Sequence, residues 1–440
     1  MQKENPNITV SLWEKMLSIS LFIYLFALIF PHITTLREIA FWTAFLCWVM
    51  LRFKREESFI PINPATVSLL IFMLIALIAS VFGMTPIGDL NRFKGELLIP
   101  FILFLITATE FKNLEKIKGL FSVLIIAFAV YTLLALLESS QYGLRYFWDK
   151  THREQYYWLD TGYWQRGAII FPVILGLLLL LKNKWLRLSL GALAVTEFAI
   201  IYVYRSFAVL IGTCSVLLLW ALFTRPKKYR LYMAGLICLV LVISGSLLYS
   251  MKDNPAVSEY RDKLGKLSNI QAEIGSEGSF SNRFPFWKAA VDIIKDKPLL
   301  GYGWGMKKFQ KLVQQEKFLN YWQVNEPYVY KLITEYKDVY FPPHNMFIEI
   351  AVQSGFLGLA AFVSFILVYA VYLVKKILHS GSDMEYNFSA ILIGGVLISF
   401  VIINLMNNEL GNISGKILFV VLGAGMGSRS EMPGRLKPFN

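Results

Sequence analysis

Long apolar segments separated by short polar connections run along most of this chain. Most of them hold enough residues for a helix to cross the ~30 Å apolar layer of a bilayer. Their apolar positions are continuous and do not alternate with polar ones, which disfavours a β-barrel. The pattern therefore predicts an all-α polytopic membrane protein with about twelve transmembrane helices. These lie near residues 16–30, 35–50, 64–83, 97–109, 117–137, 167–181, 185–204, 206–223, 231–250, 345–374, 387–406 and 411–426.

Two long polar connections interrupt this pattern, at residues 138–166 and 251–343. We interpret residues 1–440 as one integral membrane domain. In it, 251–343 is a large loop inserted between the ninth and tenth spans, and 138–166 is a smaller one. The composition agrees, since 56% of the 440 residues are hydrophobic and only 17% are charged. A soluble protein of this length carries more charge.

The formal net charge of +13 is distributed unevenly between the two sides of the predicted membrane. Most basic residues of the short connections fall on one side: Arg52, Lys54, Arg55, Lys112, Lys116, Lys118, Lys182, Lys184, Arg187, Arg225, Lys227, Lys228, Arg230, Lys375 and Lys376. The opposite side holds few: Arg37, Arg92, Lys94 and Arg205, with Lys416 nearby. By the positive-inside rule both termini are cytoplasmic and both long loops face the other side. The charge is then a topology signal, and no nucleic-acid partner is needed to explain it.

Two ionisable residues lie near the predicted seventh and eighth spans. Arg205 joins them almost without a polar linker, and an arginine at the bilayer edge either extends to the interface or holds a ligand. Its planar guanidinium suits a phosphate. Glu197 lies two helical turns earlier, deep in the seventh span. We interpret Glu197 as half of a structural ion pair with Arg205 or with an arginine of another helix.

The large loop contains a predicted amphipathic helix that begins at Arg283. Apolar residues recur there at helical spacing, and Lys297 and Pro298 end the pattern. Such a helix is suited to lying on the outer membrane surface. Residues 301–305 follow as Gly-Tyr-Gly-Trp-Gly, and three alternating glycines allow close approach of a backbone. The preceding stretch 266–282 is polar and rich in glycine and serine, which is typical of a mobile lid.

His344 follows two prolines and directly precedes an apolar span, so the sequence places it at a helix N-terminus. The positive end of a helix dipole disfavours imidazolium. A neutral imidazole can accept a proton, as a general base must. The structural alternative is a histidine that only marks the membrane interface.

The smaller loop ends in Arg166, which makes this arginine another candidate anion ligand beside Arg205 and Arg283. The loop is rich in aromatic residues, which fits either carbohydrate binding or an interfacial belt. The histidines are scattered, and no cluster in the sequence has metal-ligand spacing. We therefore expect no metal and no other cofactor.

Several of these motifs together resemble the O-antigen ligase family and its relatives, the O-antigen polymerases. That pattern is an arginine, an aromatic helix, a PLLGxGxG-like turn, and a His-Asn pair that opens a span containing an SGxLGL-like segment. It corresponds here to Arg283, Phe286, Trp287, residues 298–303, His344, Asn345 and residues 354–359. Arg205 also fits the family's arginine after the seventh span, although the family often has SRGA where this chain reads YRSF.

The resemblance implies an enzyme of the bacterial inner membrane whose active site faces the periplasm. It would transfer a glycan from undecaprenyl diphosphate to a sugar of lipid A-core during lipopolysaccharide assembly. Arg166, Arg205 and Arg283 would bind the diphosphate, and His344 would deprotonate the acceptor hydroxyl in one inverting displacement without metal. The implied partners are the lipid-linked glycan donor, the lipid A-core acceptor and membrane lipids.

Three other interpretations stay open at this stage. One is a ligase that moves its glycan to a protein. An O-antigen polymerase would use the same donor and extend another lipid-linked glycan. A twelve-span transporter is a different class, and its sequence typically shows paired half-repeats with polar residues at the membrane midplane. Here the polar candidates gather in the outer loops, which favours the transferase.

Overall fold

The computed structural model describes residues 6–142, 162–204, 207–224, 230–231, 234–235, 283–305, 308–336, 342–379 and 383–427. Within these ranges the secondary structure is helical, with no β-strand. The all-α prediction is confirmed.

The helices follow one another along the chain with mostly short connections. Before the large loop they are α1 (Pro6–Ile29), α2 (Thr34–Arg55), α3 (Pro64–Val81), α4 (Pro86–Phe93), α5 (Ile99–Glu110), α6 (Leu114–Tyr142), α7 (Tyr163–Leu180), α8 (Lys184–Tyr204) and α9 (Phe207–Phe223). Those that follow are α10 (Arg283–Asp296), α11 (Lys308–Val313), α12 (Glu316–Asn325), α13 (Pro327–Glu335), α14 (Met346–His379), α15 (Met384–Asn404) and α16 (Ile413–Gly427). A π-helical turn, Lys94–Leu98, joins α4 to α5.

Among the described residues, seven helices are long and apolar enough to cross a membrane. They are α1, α2, α3, α6, α7, α14 and α15. The predicted count of twelve is therefore met only in part. The apolar part of α9 and all of α16 are shorter, α5 has 12 residues, α8 is not among the seven, and residues 231–250 lie almost wholly outside the described ranges.

Charged side chains join the helices at one end of the bundle, which we call the basic end. Arg52 and Arg55 of α2 both bind Glu110, the last residue of α5, and Arg55 also reaches Glu14 of α1. Lys118 of α6 pairs with Glu385 of α15 at 3.3 Å. Ion pairs of this kind fix the axial positions of neighbouring helices relative to one another. The basic residues in these pairs are among those that the charge pattern places on one side of the membrane.

The opposite end of the bundle, which we call the site end, has different cross-links. Arg166, in the first turn of α7, donates to the carbonyl of Ile29 at the end of α1 (3.1 Å). Next to it, Ser399 of α15 donates to the carbonyl of Ala168 (2.9 Å). The start of α7 therefore lies beside the last turns of α15, and α14 also begins at this end.

Helices α10 to α13 form a small helical unit at the site end, packed on α14. Its core is made of Phe286, Ala289, Ala290, Ile293, Ile294, Tyr302, Phe309, Leu312, Val313, Phe318, Trp322, Val329, Ile333, Ala351 and Val352. The helix predicted from Arg283 is confirmed as α10. Its apolar face packs on protein instead of facing the membrane, because α13, α14 and this core cover it. The predicted lid, 266–282, lies outside the described residues.

Candidate functional site

The site begins with one face of α10. Arg283 and Trp287 are four residues apart, so they project from the same side of the helix. Arg283 Nη1 lies 3.1 Å from Met406 Sδ, just beyond α15, and Trp287 Nε1 donates to the carbonyl of Pro343 (2.7 Å). This face of α10 therefore connects the end of α15 to the segment before α14.

His344 is the residue after that tethered carbonyl. Its backbone is left-handed (φ 49°), which is uncommon for a residue other than glycine. Asn345 then caps α14, because its Oδ1 accepts from the amides of Phe347 (2.9 Å) and Ile348 (3.1 Å). The side-chain amide of Asn345 donates to the carbonyl of Leu405 (3.1 Å). His344 is thus held at the start of a helix, as the sequence predicts, by contacts on both sides of it.

Replacing Asn345 separates the cap from the link to Leu405. Asn345→Ala should lower the free energy of unfolding by about 1 kcal/mol, the usual cost of a lost N-cap. Asn345→Ser should keep the cap and lose the link, so its thermal stability should stay near wild type while transfer activity falls. Thermal unfolding and activity measured on both variants check this. Full activity in Asn345→Ser would show that the link does not position His344.

Burial and the nearby charge of Arg283 both favour the neutral form of His344. Burial, and next the positive charge of Arg283, lower the pKa of His344 to about 4. Burial also lowers the pKa of Arg283. Arg283 is half-buried, and its only side-chain hydrogen-bond partner among the described residues is a thioether, a weak acceptor. A guanidinium whose described contacts leave most of its donors open can bind an anion, and the neutral imidazole beside it can accept a proton.

The glycine turn after α10 inserts into a break in α14. Gly355 (φ 67°, ψ −171°) interrupts the helix, and this leaves carbonyls and amides without helical partners. The amides of Tyr302 and Gly303 donate to the carbonyls of Val352 (3.0 Å) and Gln353 (2.9 Å). In return, the amide of Phe356 donates to the carbonyl of Pro298 (2.7 Å). The two glycine motifs of the resemblance are therefore two halves of one backbone contact, which ties α10 to α14.

Gly355→Ala should be among the most destabilising single changes in the chain. Gly355 has a φ and ψ that essentially only glycine adopts, so a residue with a Cβ there costs about 1–3 kcal/mol. This Cβ would also stand 2.1 Å from the carbonyl oxygen of Leu299. We expect loss of folded protein, measured by size exclusion and thermal unfolding. Gly119→Ala is the matched control, since its Cβ would meet only Phe22 Cζ at 3.5 Å. Equal stability of the two variants would contradict the turn contact.

Arg166 and Arg205, the other two predicted diphosphate ligands, have different outcomes. Arg166 is buried, donates to Ile29 and lies over the ring of Tyr131 (5.1 Å), so it also serves packing. Arg205 lies outside the described residues. Both anion-binding roles stay predictions.

Among the described residues the partners of Glu197 are hydroxyl groups, and Arg205, one of its two predicted kinds of partner, lies outside those residues. Glu197 Oε1 accepts from Thr132 Oγ1 and from Tyr163 OH, each at 2.7 Å. No described arginine pairs with it. The carboxylate therefore joins α6, α7 and α8 through neutral donors. A short polar side chain such as Thr132 within an apolar span gives no sequence signal that it will bind a carboxylate.

Two buried contacts that we did not predict from the sequence connect the segment around the glycine turn to α4 and to the π-helical turn. Lys308 of α11 pairs with Asp89 of α4 at 2.5 Å, and both side chains are buried. Trp304 Nε1 donates to Glu96 Oε2 (3.0 Å) in the π-helical turn. Asp89 and Glu96, two acidic residues next to an apolar segment, could have indicated these contacts, because a buried carboxylate needs a partner.

A family model described as O-antigen ligase matches residues 192–363. The resemblance to the O-antigen ligase family is thereby confirmed. The match contains α10, the glycine turn, His344 and Gly355, whereas Arg166 precedes it.

Two curated relatives extend the likeness beyond the matched segment. A Rickettsia typhi protein named as a candidate polysaccharide ligase is 24% identical over 352 residues, 79% of this chain and 78% of its own. One from Rickettsia prowazekii with the same kind of name is 23% identical over 321 residues, 72% of this chain and 71% of its own. These names, with the family match, indicate a membrane enzyme of the ligase or glycosyltransferase type.

Proposed function

We propose that this protein is an O-antigen ligase that transfers a glycan from undecaprenyl diphosphate to a sugar hydroxyl of lipid A-core. One observation carries the proposal: Arg283 and His344 lie together at the site end. Among the described residues Arg283 has only a thioether as a side-chain hydrogen-bond partner, and burial favours the neutral form of His344. A diphosphate is the anion that this family's lipid-linked donors carry. The family match and the names of the relatives support the same class of reaction.

In the proposed reaction His344 takes the proton of the acceptor hydroxyl while that oxygen attacks the anomeric carbon of the glycan. The bond from this carbon to the diphosphate oxygen breaks, and the lipid diphosphate leaves with both bonding electrons. Arg283 stabilises the negative charge that grows on the leaving oxygen. Arg166 and Arg205 would add to this charge. One displacement inverts the anomeric carbon.

In many transferases a metal ion stabilises the negative charge of the leaving diphosphate. Arginine would supply that positive charge here, so we propose that turnover needs no added metal. We also propose twelve spans in the bacterial inner membrane, with both termini cytoplasmic. The site end would then be periplasmic, and residues 251–343 and 138–166 would be periplasmic loops. The basic residues at the other end of the bundle support this orientation.

The test is a reconstituted transfer assay in EDTA. Purified protein receives undecaprenyl-diphosphate-linked glycan, with and without lipid A-core. We expect a single product, seen as one shift of the acceptor, that requires lipid A-core. The new glycosidic bond should have inverted configuration. A ladder that grows on the lipid carrier without lipid A-core would identify a polymerase, and activity that requires an added metal would refute the metal-independent mechanism.

A further inference from the structure

The exposed side chains of α14 form an apolar stripe that begins at the break in this helix. From Met346 to Gly355 every residue is buried or half-buried, since the small helical unit packs on this part of α14. After the break the exposed residues down to the basic end are Phe356, Leu357, Ala360, Ser364, Leu367, Val371 and Val374, and exposed Lys375 follows. At 1.5 Å per residue this stripe is about 27 Å long, close to the ~30 Å apolar layer of a bilayer.

Helix α3 gives the same boundary from a neighbouring position. It packs beside α14, where the rings of Phe72 and Phe362 are 5.1 Å apart, and its exposed side chains are also apolar. Phe82, the residue that follows α3, is 73% exposed. Two residues later the amide of Met84 donates to the carbonyl of Tyr302 in the glycine turn (2.9 Å). The apolar surfaces of both helices therefore end at this turn.

The turn after α10 continues the apolar surface. Leu299 is 63% exposed, more than Phe356 and Leu357 of the stripe. Its carbonyl accepts from the amide of Leu357 (3.4 Å), and the carbonyl of Pro298 accepts from the amide of Phe356 (2.7 Å). The backbone thus holds Leu299 beside the first exposed residues of α14, at the edge of the apolar stripe.

Positive charge lies next to this leucine. The ammonium of Lys297 is 4.9 Å from the centre of the Tyr302 ring, and that of Lys317 is 5.5 Å from the same centre. Both lysines are exposed. Lys317 pairs with Asp296 at 2.6 Å, so these four side chains together keep one net positive charge. The turn therefore presents an apolar side chain and exposed cations close together, which matches the edge of a bilayer, where acyl chains give way to phosphates.

We propose that the turn after α10 binds the membrane surface, with Leu299 in the apolar layer and Lys297 and Lys317 on the phosphates of anionic phospholipids. Lysine suits this contact, because its compact ammonium on a flexible stem can follow a mobile headgroup. The bilayer surface at the site end then lies at the level of Gly355. The small helical unit lies on the water side of it, and its link to α14 rests on lipid.

This boundary also limits how far the candidate site is from the membrane. The part of α14 from Met346 to Gly355 spans about 14 Å at 1.5 Å per residue, so the start of α14, next to His344, is within that distance of the bilayer surface. If Arg283 holds the donor diphosphate, a diphosphate carried on a membrane lipid enters the site near headgroup level. Anionic lipid that holds the turn should then raise the rate of transfer; this step rests on the proposed function.

The first experiment measures the depth of the turn. In a variant whose three cysteines are replaced by alanine, a nitroxide is attached at Leu299→Cys, Leu367→Cys or Lys331→Cys, and the protein is reconstituted in vesicles of phosphatidylcholine and phosphatidylglycerol. Leu367 lies within the apolar stripe, and Lys331 is an exposed residue of α13. Oxygen concentrates in the apolar layer while a nickel complex stays in water. We expect the ratio of oxygen to nickel collisions to be highest at position 367, lower at 299 and lowest at 331. A label at 299 that meets the nickel complex as often as the label at 331 would overturn the membrane contact.

The second experiment measures binding of the headgroup. Native mass spectrometry of the purified protein compares phosphatidylglycerol with phosphatidylcholine, for wild type, Lys297→Gln, Lys317→Gln and the matched control Lys331→Gln. We expect preference for phosphatidylglycerol, a loss of about fivefold for each of the first two variants, and no loss in the control. Lys297→Arg keeps the charge and should retain the binding, which separates loss of charge from a folding defect.

Three results would overturn the headgroup site. An equal loss in Lys331→Gln would mean that only the general charge of the small helical unit attracts the lipid. Displacement of phosphatidylglycerol by millimolar inorganic phosphate would mean a site for free phosphate. Unchanged binding in Lys297→Gln and Lys317→Gln would remove these lysines from the contact.

The third experiment tests the effect on transfer. The rate in vesicles should rise with the fraction of phosphatidylglycerol in wild type, and it should respond less in a variant that carries both Lys297→Gln and Lys317→Gln. A wild-type rate that is independent of this fraction would overturn the activation by anionic lipid. If the label and the lipid binding behave as expected but wild type transfers no glycan, the proposed function fails while the membrane contact stands.

Discussion

His344→Ala is expected to lower kcat for glycan transfer by about 10²- to 10⁴-fold, the usual contribution of a positioned general base. The imidazole is the proton acceptor in the proposed displacement, and a methyl group cannot replace it. KM for the donor should change little, since Arg283 keeps its place on α10. The measurement is initial-rate kinetics with saturating donor and acceptor, on protein whose thermal unfolding matches wild type.

The control for this loss is His379→Ala at the basic end of α14. His379 is exposed, and its ring nitrogen Nδ1 is in hydrogen-bond contact with the carbonyl of Lys375 in its own helix. This variant should transfer glycan at the wild-type rate. A His344→Ala enzyme with full turnover would refute the assignment of the base and leave the anion site at Arg283 untouched.

The elements that sequence predicted best are those with local signals. Paired prolines before His344 and an asparagine after it identify a capped helix start, and the structure has α14 begin there. The helical period after Arg283 identifies α10 in the same way. Both signals involve residues within one or two helical turns of each other, so the local sequence alone determines where these helices start.

What sequence could not show is which distant segments meet. Pro298 and Phe356 are almost sixty residues apart, and only packing brings the glycine turn into the break at Gly355. The fourth predicted span, residues 97–109, also belongs to a longer element. The helix that ends at Glu110 starts as α4 and continues through the π-helical turn. Because its first half is polar, the apolar pattern detects only its second half.

The second large effect is expected at Arg283. Arg283→Ala should lower kcat/KM for the donor by about 10²- to 10³-fold, because it removes positive charge aimed at the leaving diphosphate. Arg283→Lys should recover part of this, since it keeps the charge but not the planar fork. Lys288→Ala is the control on the same helix. Lys288 pairs with Glu326 at the surface, where an ion pair contributes little, so its loss should leave transfer unchanged.

Arg283 should also set the acid limb of the pH profile through His344. In the free enzyme the pKa of His344 is about 4, so kcat/KM should hold from neutral pH downward and fall as pH drops through about 4. A bound diphosphate offsets the charge of Arg283, which raises the pKa of His344. The limb of kcat, which reports the bound complex, should therefore lie at higher pH than the limb of kcat/KM. Arg283→Ala should move the limb of kcat/KM upward as well, whereas Arg283→Lys should leave it near wild type. Coincident limbs in wild type would mean that the donor does not neutralise Arg283, and the diphosphate would then have to be held elsewhere.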